Sequence, residues 1–172
     1  MDELDAAIIK KLQAQGRVTN RELAAELGVA PSTSLERTRR LQETGVIAGV
    51  HAQISLPALN RRVEALIAVK LRPQSRTVID GFRRFVIDLP ETLALYVTAG
   101  ESDVLIHVAV QGTAQLQDFV LDRLTKHKEI TTVTTSVIYQ HMRNHVLSPL
   151  SDSRCSSPPE PETRIIKSTR KS

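Results

Sequence analysis

The sequence predicts an α+β protein: an N-terminal winged helix-turn-helix followed by a ferredoxin-like βαββαβ domain. Three observations lead there. Residues 2–44 place apolar side chains at helical spacing, and two of the helices meet across the short connection GVAP. From about residue 63 the pattern changes to strands and helices in the order β-α-β-β-α-β. Between these zones, residues 55–60 (SLPALN) read as a turn and linker.

The elements follow in order. In a first helix over residues 2–15, Leu4, Ile8 and Leu12 form one stripe, and Gly16 is placed to close it. The second helix starts at Thr19, whose hydroxyl and the Glu22 carboxylate have the T-x-x-E spacing of a reciprocal cap. Leu23 and Leu27 face inward there, and Gly28 supplies a left-handed stop. Pro31 suits the first turn of a third helix ending near Gly45, with Leu35, Thr38 and Leu41 assigned inward. Ala30 is a poor cap for that start, and Thr33 with Glu36 offers a capped start two residues later. Residues 46–50 are expected to form a short strand leaving this unit.

In the second zone, Val63–Leu71 reads as a strand and residues 77–88 as a helix with Val78, Phe82, Phe85 and Val86 inward. Strands are expected over 92–99 and 103–110, joined through GES. A helix over 113–126 buries Leu116, Phe119, Val120 and Leu124, and a Thr- and Val-rich strand fills 130–139. This order gives an antiparallel sheet with both helices on one face. Domain limits are set at 1–50, a hinge at 51–62, and 63–145. Residues 151–172, rich in Ser, Pro and charge, are expected to be a disordered tail.

Composition bounds the function. The 172 residues are 41% hydrophobic but only 3% aromatic, so the core must be built on Leu, Ile, Val and Ala. Net charge is +4, yet residues 1–50 hold seven basic and seven acidic side chains, so attraction to phosphate there must come from clustering. One cysteine, Cys155, excludes an intramolecular disulfide and fits a reducing cytoplasm. The acidic start MDELDAA lacks a secretion profile, and no apolar run approaches the ~18 residues of a membrane span. A cytoplasmic location is expected.

The third helix raises the functional question. With Leu35, Thr38 and Leu41 inward, Thr33, Arg37 and Arg40 line the opposite face, and Ser32 and Ser34 occupy the first turn. Arginine forks read guanine or clamp phosphate, so Arg37 and Arg40 are candidates for direct contact with DNA. Arg39 lies off that line and is assigned to the DNA backbone. The competing reading is a solvated helix, with Glu36 and Arg40 as an i,i+4 pair.

The stretch LDAAIIKKLQAQGRVTNRELAAELGVAPSTSLERTRRLQETGVIAGVHA, followed by SLPALN and a βαββαβ domain containing VTAGESDVLIHV, resembles the Lrp/AsnC (leucine-responsive/asparagine-operon, feast/famine) transcriptional regulators. The likeness covers about residues 2–145. It implies a DNA-binding domain, a hinge, and a C-terminal effector and assembly domain, with homodimers associating further, commonly into octamers. Amino acids are the usual effectors. The recognition helix of such proteins falls on residues 31–44, which include Ser32, Thr33, Ser34, Arg37, Arg39 and Arg40. The effector loop falls on Gly100 and Asp103, and Thr135 and Val137 of the last strand are the further candidates. Glycine admits close approach of a ligand, and an acid can hold an ammonium group. Many relatives carry an aromatic residue in this loop, where the present chain reads Gly100-Glu101-Ser102-Asp103.

Other readings are weaker. His141 and His145 have i,i+4 spacing but no further ligands, so no metal is expected, nor any other cofactor. His107 reads as a packed or interface histidine. Arg61-Arg62 and Arg83-Arg84 read as solvated faces. Two rivals to a sensor-regulator stand: an effector-independent architectural DNA-binding protein, and a tetrapyrrole decarboxylase-like enzyme resting on His107 alone. No paired acid and base in a recognisable cleft supports catalysis.

Overall fold

The computed structural model describes residues 1–150, and the expected tail lies outside them. Two compact units form among them: residues 1–53 together with 143–150, and residues 54–142.

The first unit holds three helices: α1 (Glu3–Ala14), α2 (Asn20–Leu27) and α3 (Pro31–Glu43). Their starts are chemically explicit. Asp2 caps α1 through a reciprocal box with Asp5, and Thr19 caps α2 through the expected box with Glu22. Gly28 ends α2 at φ 66°, which an L side chain adopts only at a cost. The α3 helix starts at Pro31 with no side-chain cap, so the alternative Thr33 start is not used. Ile8, Leu23 and Leu41 form the buried centre, with Leu4, Leu12, Leu27 and Ile47 packed on it.

The α1 helix closes at Ala14 with Gln15 as its C-cap, just before Gly16, and a Cβ at Gly16 would lie 3.3 Å from Val50 Cγ1, so the glycine allows close approach. Two expectations fail here. Residues 46–50 form no strand, because Ile47 turns inward and its N–H bonds the Leu41 carbonyl at 2.9 Å, spending those residues on the end of α3. Leu35 is 57% exposed, whereas Ser34 is buried. The chain returns to this unit near its described end: the Gln13 side-chain amide donates to the Leu147 carbonyl at 2.9 Å and accepts its N–H at 2.8 Å.

The second unit holds β1 (Val63–Leu71), α4 (Arg76–Ile87), β2 (Thr92–Val97), β3 (Val104–Val110), α5 (Thr113–Asp118) and β4 (Ile130–Ile138). The expected 113–126 helix changes pitch midway, continuing from α5 as a wider turn over Phe119–Leu124. Sheet order is β2-β3-β1-β4, every pair antiparallel. Alternate residues of β1 and β3, among them Ile67, Val69, Ile106 and Val108, bury against Phe82, Val86, Leu116, Phe119 and Leu124, so both helices cover one face. Cross-strand partners share a face, so the pairs Leu66–His107 and Ala68–Leu105 line the other, which no helix covers.

Candidate nucleic-acid interface and effector loop

Burial fixes the rotation of α3. Ser34 and Leu41 are its buried residues, which puts Ser32, Glu36, Arg39 and Glu43 on the outward side. The sequence reading had this phase turned: Arg39, assigned aside, is the most exposed of the three arginines, its side chain 77% accessible against 30% for Arg37 and 53% for Arg40. Ser34 faces the interior and does not present its hydroxyl to solvent. Ser32 is exposed and Thr33 half-buried.

Each arginine holds a carboxylate. Arg37 Nη1 pairs with Asp2 Oδ2 and lies 3.2 Å from Asp5 Oδ1. Arg40 Nη2 reaches both oxygens of Asp5, at 3.1 and 2.8 Å. Arg39 Nε bonds Glu43 Oε1 at 2.8 Å, and Arg40 pairs with Asp5 where the solvated-helix reading pairs it with Glu36. Asp5 also accepts the Asp2 N–H, while the Asp5 N–H and then the Arg37 guanidinium hold the Asp2 carboxyl below its ordinary pKa. Neither acid was singled out from the sequence. The legible signal was the D-x-x-D spacing at the start of α1 and the i,i+3 spacing of Arg37 and Arg40.

The pairs differ in what separating them costs. Asp5 is 1% exposed, and stripping a buried carboxylate of its cations costs about 3–5 kcal/mol. The Arg39–Glu43 pair is open to water, and such i,i+4 pairs contribute about 0.3–0.5 kcal/mol. Arg39 is therefore the arginine that can exchange partners most cheaply. Nearby, the Asn20 amide donates to the Pro31 carbonyl at 2.8 Å and ties α2 to the first turn of α3.

In the second unit the 98–103 turn joins β2 to β3. Gly100 has φ 154°, and nothing lies within 4 Å of a Cβ built there, so the position is open and its backbone favours glycine. Asp103 is not the exposed turn acid that its neighbours imply. It is buried, its Oδ2 accepts the Leu71 N–H at 2.7 Å, and its Oδ1 accepts from the Gln74 amide. Its main chain bonds Val69 and Thr98. The Leu71 N–H, then the Gln74 amide and the Arg72 cation, hold its carboxyl below the ordinary value despite burial. Thr135 and Val137 are exposed on the edge strand β4, opposite Ile67 and Ala65 of β1.

On the uncovered sheet face, His107 Nε2 lies 3.0 Å from Glu64 Oε2, and His141 Nδ1 lies 3.5 Å from the same oxygen. Arg61 is not a solvated side chain, since its guanidinium donates to the Ala109 and Pro90 carbonyls. Among the described residues, no cluster of three or more side chains is arranged to hold a metal ion, and no helix is long and apolar enough to cross a membrane.

Comparison with known proteins gives this geometry its setting. Residues 1–42 match the AsnC-type helix-turn-helix domain, and residues 64–146 match the Lrp/AsnC ligand binding domain. The chain is 35% identical over 143 residues to the HTH-type transcriptional regulator AldR of Mycolicibacterium smegmatis, covering 83% of this chain and 84% of that protein. It is 33% identical over 144 residues to the leucine-responsive regulatory protein of Rhizobium meliloti, covering 84% and 92%. Among solved structures, a transcriptional regulator of Neisseria meningitidis in complex with L-Met superposes with a TM-score of 0.79 at 27% identity, covering 88% of this chain and 97% of that one. A capped three-helix unit presenting α3, joined to a four-stranded antiparallel ligand-binding domain, belongs to a DNA-binding transcriptional regulator, and this chain is a member of the Lrp/AsnC family.

Proposed function

We propose that the protein is a sequence-specific, cytoplasmic regulator that reads DNA with the outward side of α3 and responds to an amino acid bound at the 98–103 turn. The observation that carries the first half is the exposure of Arg39 beside Ser32, on a helix whose first turn no side chain caps. Its N–H groups stay available to phosphate, and Arg39 gives up only a weak pair to reach DNA. Thr33 and Arg40 flank this line. Fluorescence anisotropy on promoter DNA tests it. Arg39→Ala should weaken specific binding by about 1–3 kcal/mol if the side chain reads a base, or flatten the salt dependence by about one if it meets phosphate. Unchanged binding would remove α3 from the interface.

The second half rests on the open backbone at Gly100 and on the relative solved with L-Met. Asp103 already serves Leu71 and Gln74, so its part is to shape the turn and share one oxygen with a ligand ammonium group. Thr135 and Val137 of a neighbouring copy would complete the site. Assembly as a homodimer, and then further, would cover the sheet face bearing Leu66, Ala68, Leu105 and Tyr96. Calorimetric titration of the twenty amino acids, with light scattering, is the test. If none binds at millimolar concentration, the protein is an effector-independent DNA-binding regulator.

A further inference from the structure

We infer that Asp5, assisted by Asp2, is a positioning residue for DNA binding: it holds Arg37 and Arg40 against α1 and so reserves the outward side of α3 for Arg39. The inference rests on the reading that α3 faces DNA. Three arginines stand within four positions, and their partners sort them. Asp5 has at most four acceptor directions, and it meets the Asp2 N–H, Arg37 Nη1 and Arg40 Nη2, the last through both oxygens. Asp2 takes a further bond from Arg37. Because Asp5 is almost wholly removed from water, a phosphate cannot draw both arginines away without leaving an uncompensated buried charge. Glu43, by contrast, is well exposed and releases Arg39 readily. Two fixed cations and one exchangeable cation therefore share one helix, and an acid on a different helix makes the division.

Such a role has a signature that scaffolding alone lacks. Each phosphate neutralised adds about 0.9 to the slope of log affinity against log salt. Removing the Asp5 charge frees Arg37 and Arg40 for phosphate, so Asp5→Asn should steepen the slope by about one to two. At low salt it should tighten binding to a random-sequence duplex by roughly tenfold per released arginine. Preference for specific over random DNA should fall in step. Adding Arg40→Ala to Asp5→Asn should take back about one unit of slope.

The experiment measures full-length protein on a random duplex between about 50 and 200 mM salt, a range over which such slopes are resolved. Glu26→Gln is the control, making the same charge change on α2 where the acid pairs with Lys11. If Asp5→Asn only lowers thermal stability and leaves the slope unchanged, or if Glu26→Gln shifts the slope equally, the inference is overturned. Should Asp5→Asn fail to fold, Asp2→Asn decides: its carboxylate is half exposed, and its loss should steepen the slope by less than one. An unchanged slope there overturns the inference as well. Arg39→Ala in the parent separates the two ideas. Binding insensitive to Arg39 defeats the reading of α3 as the DNA face, whereas sensitivity to Arg39 with no effect of Asp5 defeats only the positioning role.

Discussion

The two units are stabilised differently. The N-terminal unit has a buried centre of three large apolar side chains, Ile8, Leu23 and Leu41, and gains orientation from side-chain bonds: the Asp2–Asp5 and Thr19–Glu22 boxes and the arginine cluster on Asp5. The C-terminal unit buries thirteen apolar residues between sheet and helices, and its one buried acid, Asp103, bonds main chain and an amide. A small core leaves the polar clamps of the first unit a larger share of its stability. Charge chemistry should therefore disturb the DNA-binding unit sooner than the sheet.

Four substitutions test that contrast, in falling order of effect. Asp5→Ala should cost about 3 kcal/mol, seen in chemical denaturation as early unfolding of the helical unit, because the Asp2 N–H, Arg37 and Arg40 lose their bonds to one buried carboxylate together. Asp103→Ala should cost about 1–3 kcal/mol by leaving the Leu71 N–H unsatisfied in the interior, with the sheet still forming by circular dichroism. If it cost more than Asp5→Ala, the contrast would be reversed. Thr19→Ala removes the α2 cap and should cost about 1 kcal/mol. Glu43→Ala should stay within about 0.5 kcal/mol while leaving Arg39 more available.

A pH titration adds a further test. Asp103 and Asp2 both have depressed folded-state values, so the stability each contributes is present above pH ~4, the unfolded value, and is lost as pH falls through the folded one. Below pH 4, replacing Asp103 with Asn should narrow the difference from the parent.

Much of this was legible in the sequence. Strand β1 spans the expected residues, Thr19 and Glu22 cap α2 as their spacing requires, and Val78, Phe82, Phe85 and Val86 line the inner side of α4. What stayed hidden has physical causes. With only Leu35 and Leu41 as large apolar residues, α3 carries too weak a pattern to fix its rotation, and the partners that do fix it sit some thirty residues away. The bond from Leu71 to Asp103 likewise depends on how β1 meets β3 at their ends, which local sequence does not encode. A carboxylate after Gly100 looks like a turn residue until the strands are paired. The effector candidates Gly100, Thr135 and Val137 are exposed.

The clasp between Gln13 and Leu147 has a consequence for which substitutions each position tolerates. Both of its bonds fall on the main chain of residue 147, one to the N–H and one to the carbonyl, so the side chain there is immaterial to the pairing. Nearly any residue can occupy 147, proline excepted because it has no N–H to give. Position 13 has no such latitude. Asparagine is one methylene too short for the same reach, and glutamate keeps the acceptor while losing the donor. A glutamine side chain here takes the place of a neighbouring strand, holding the returning chain by its backbone alone.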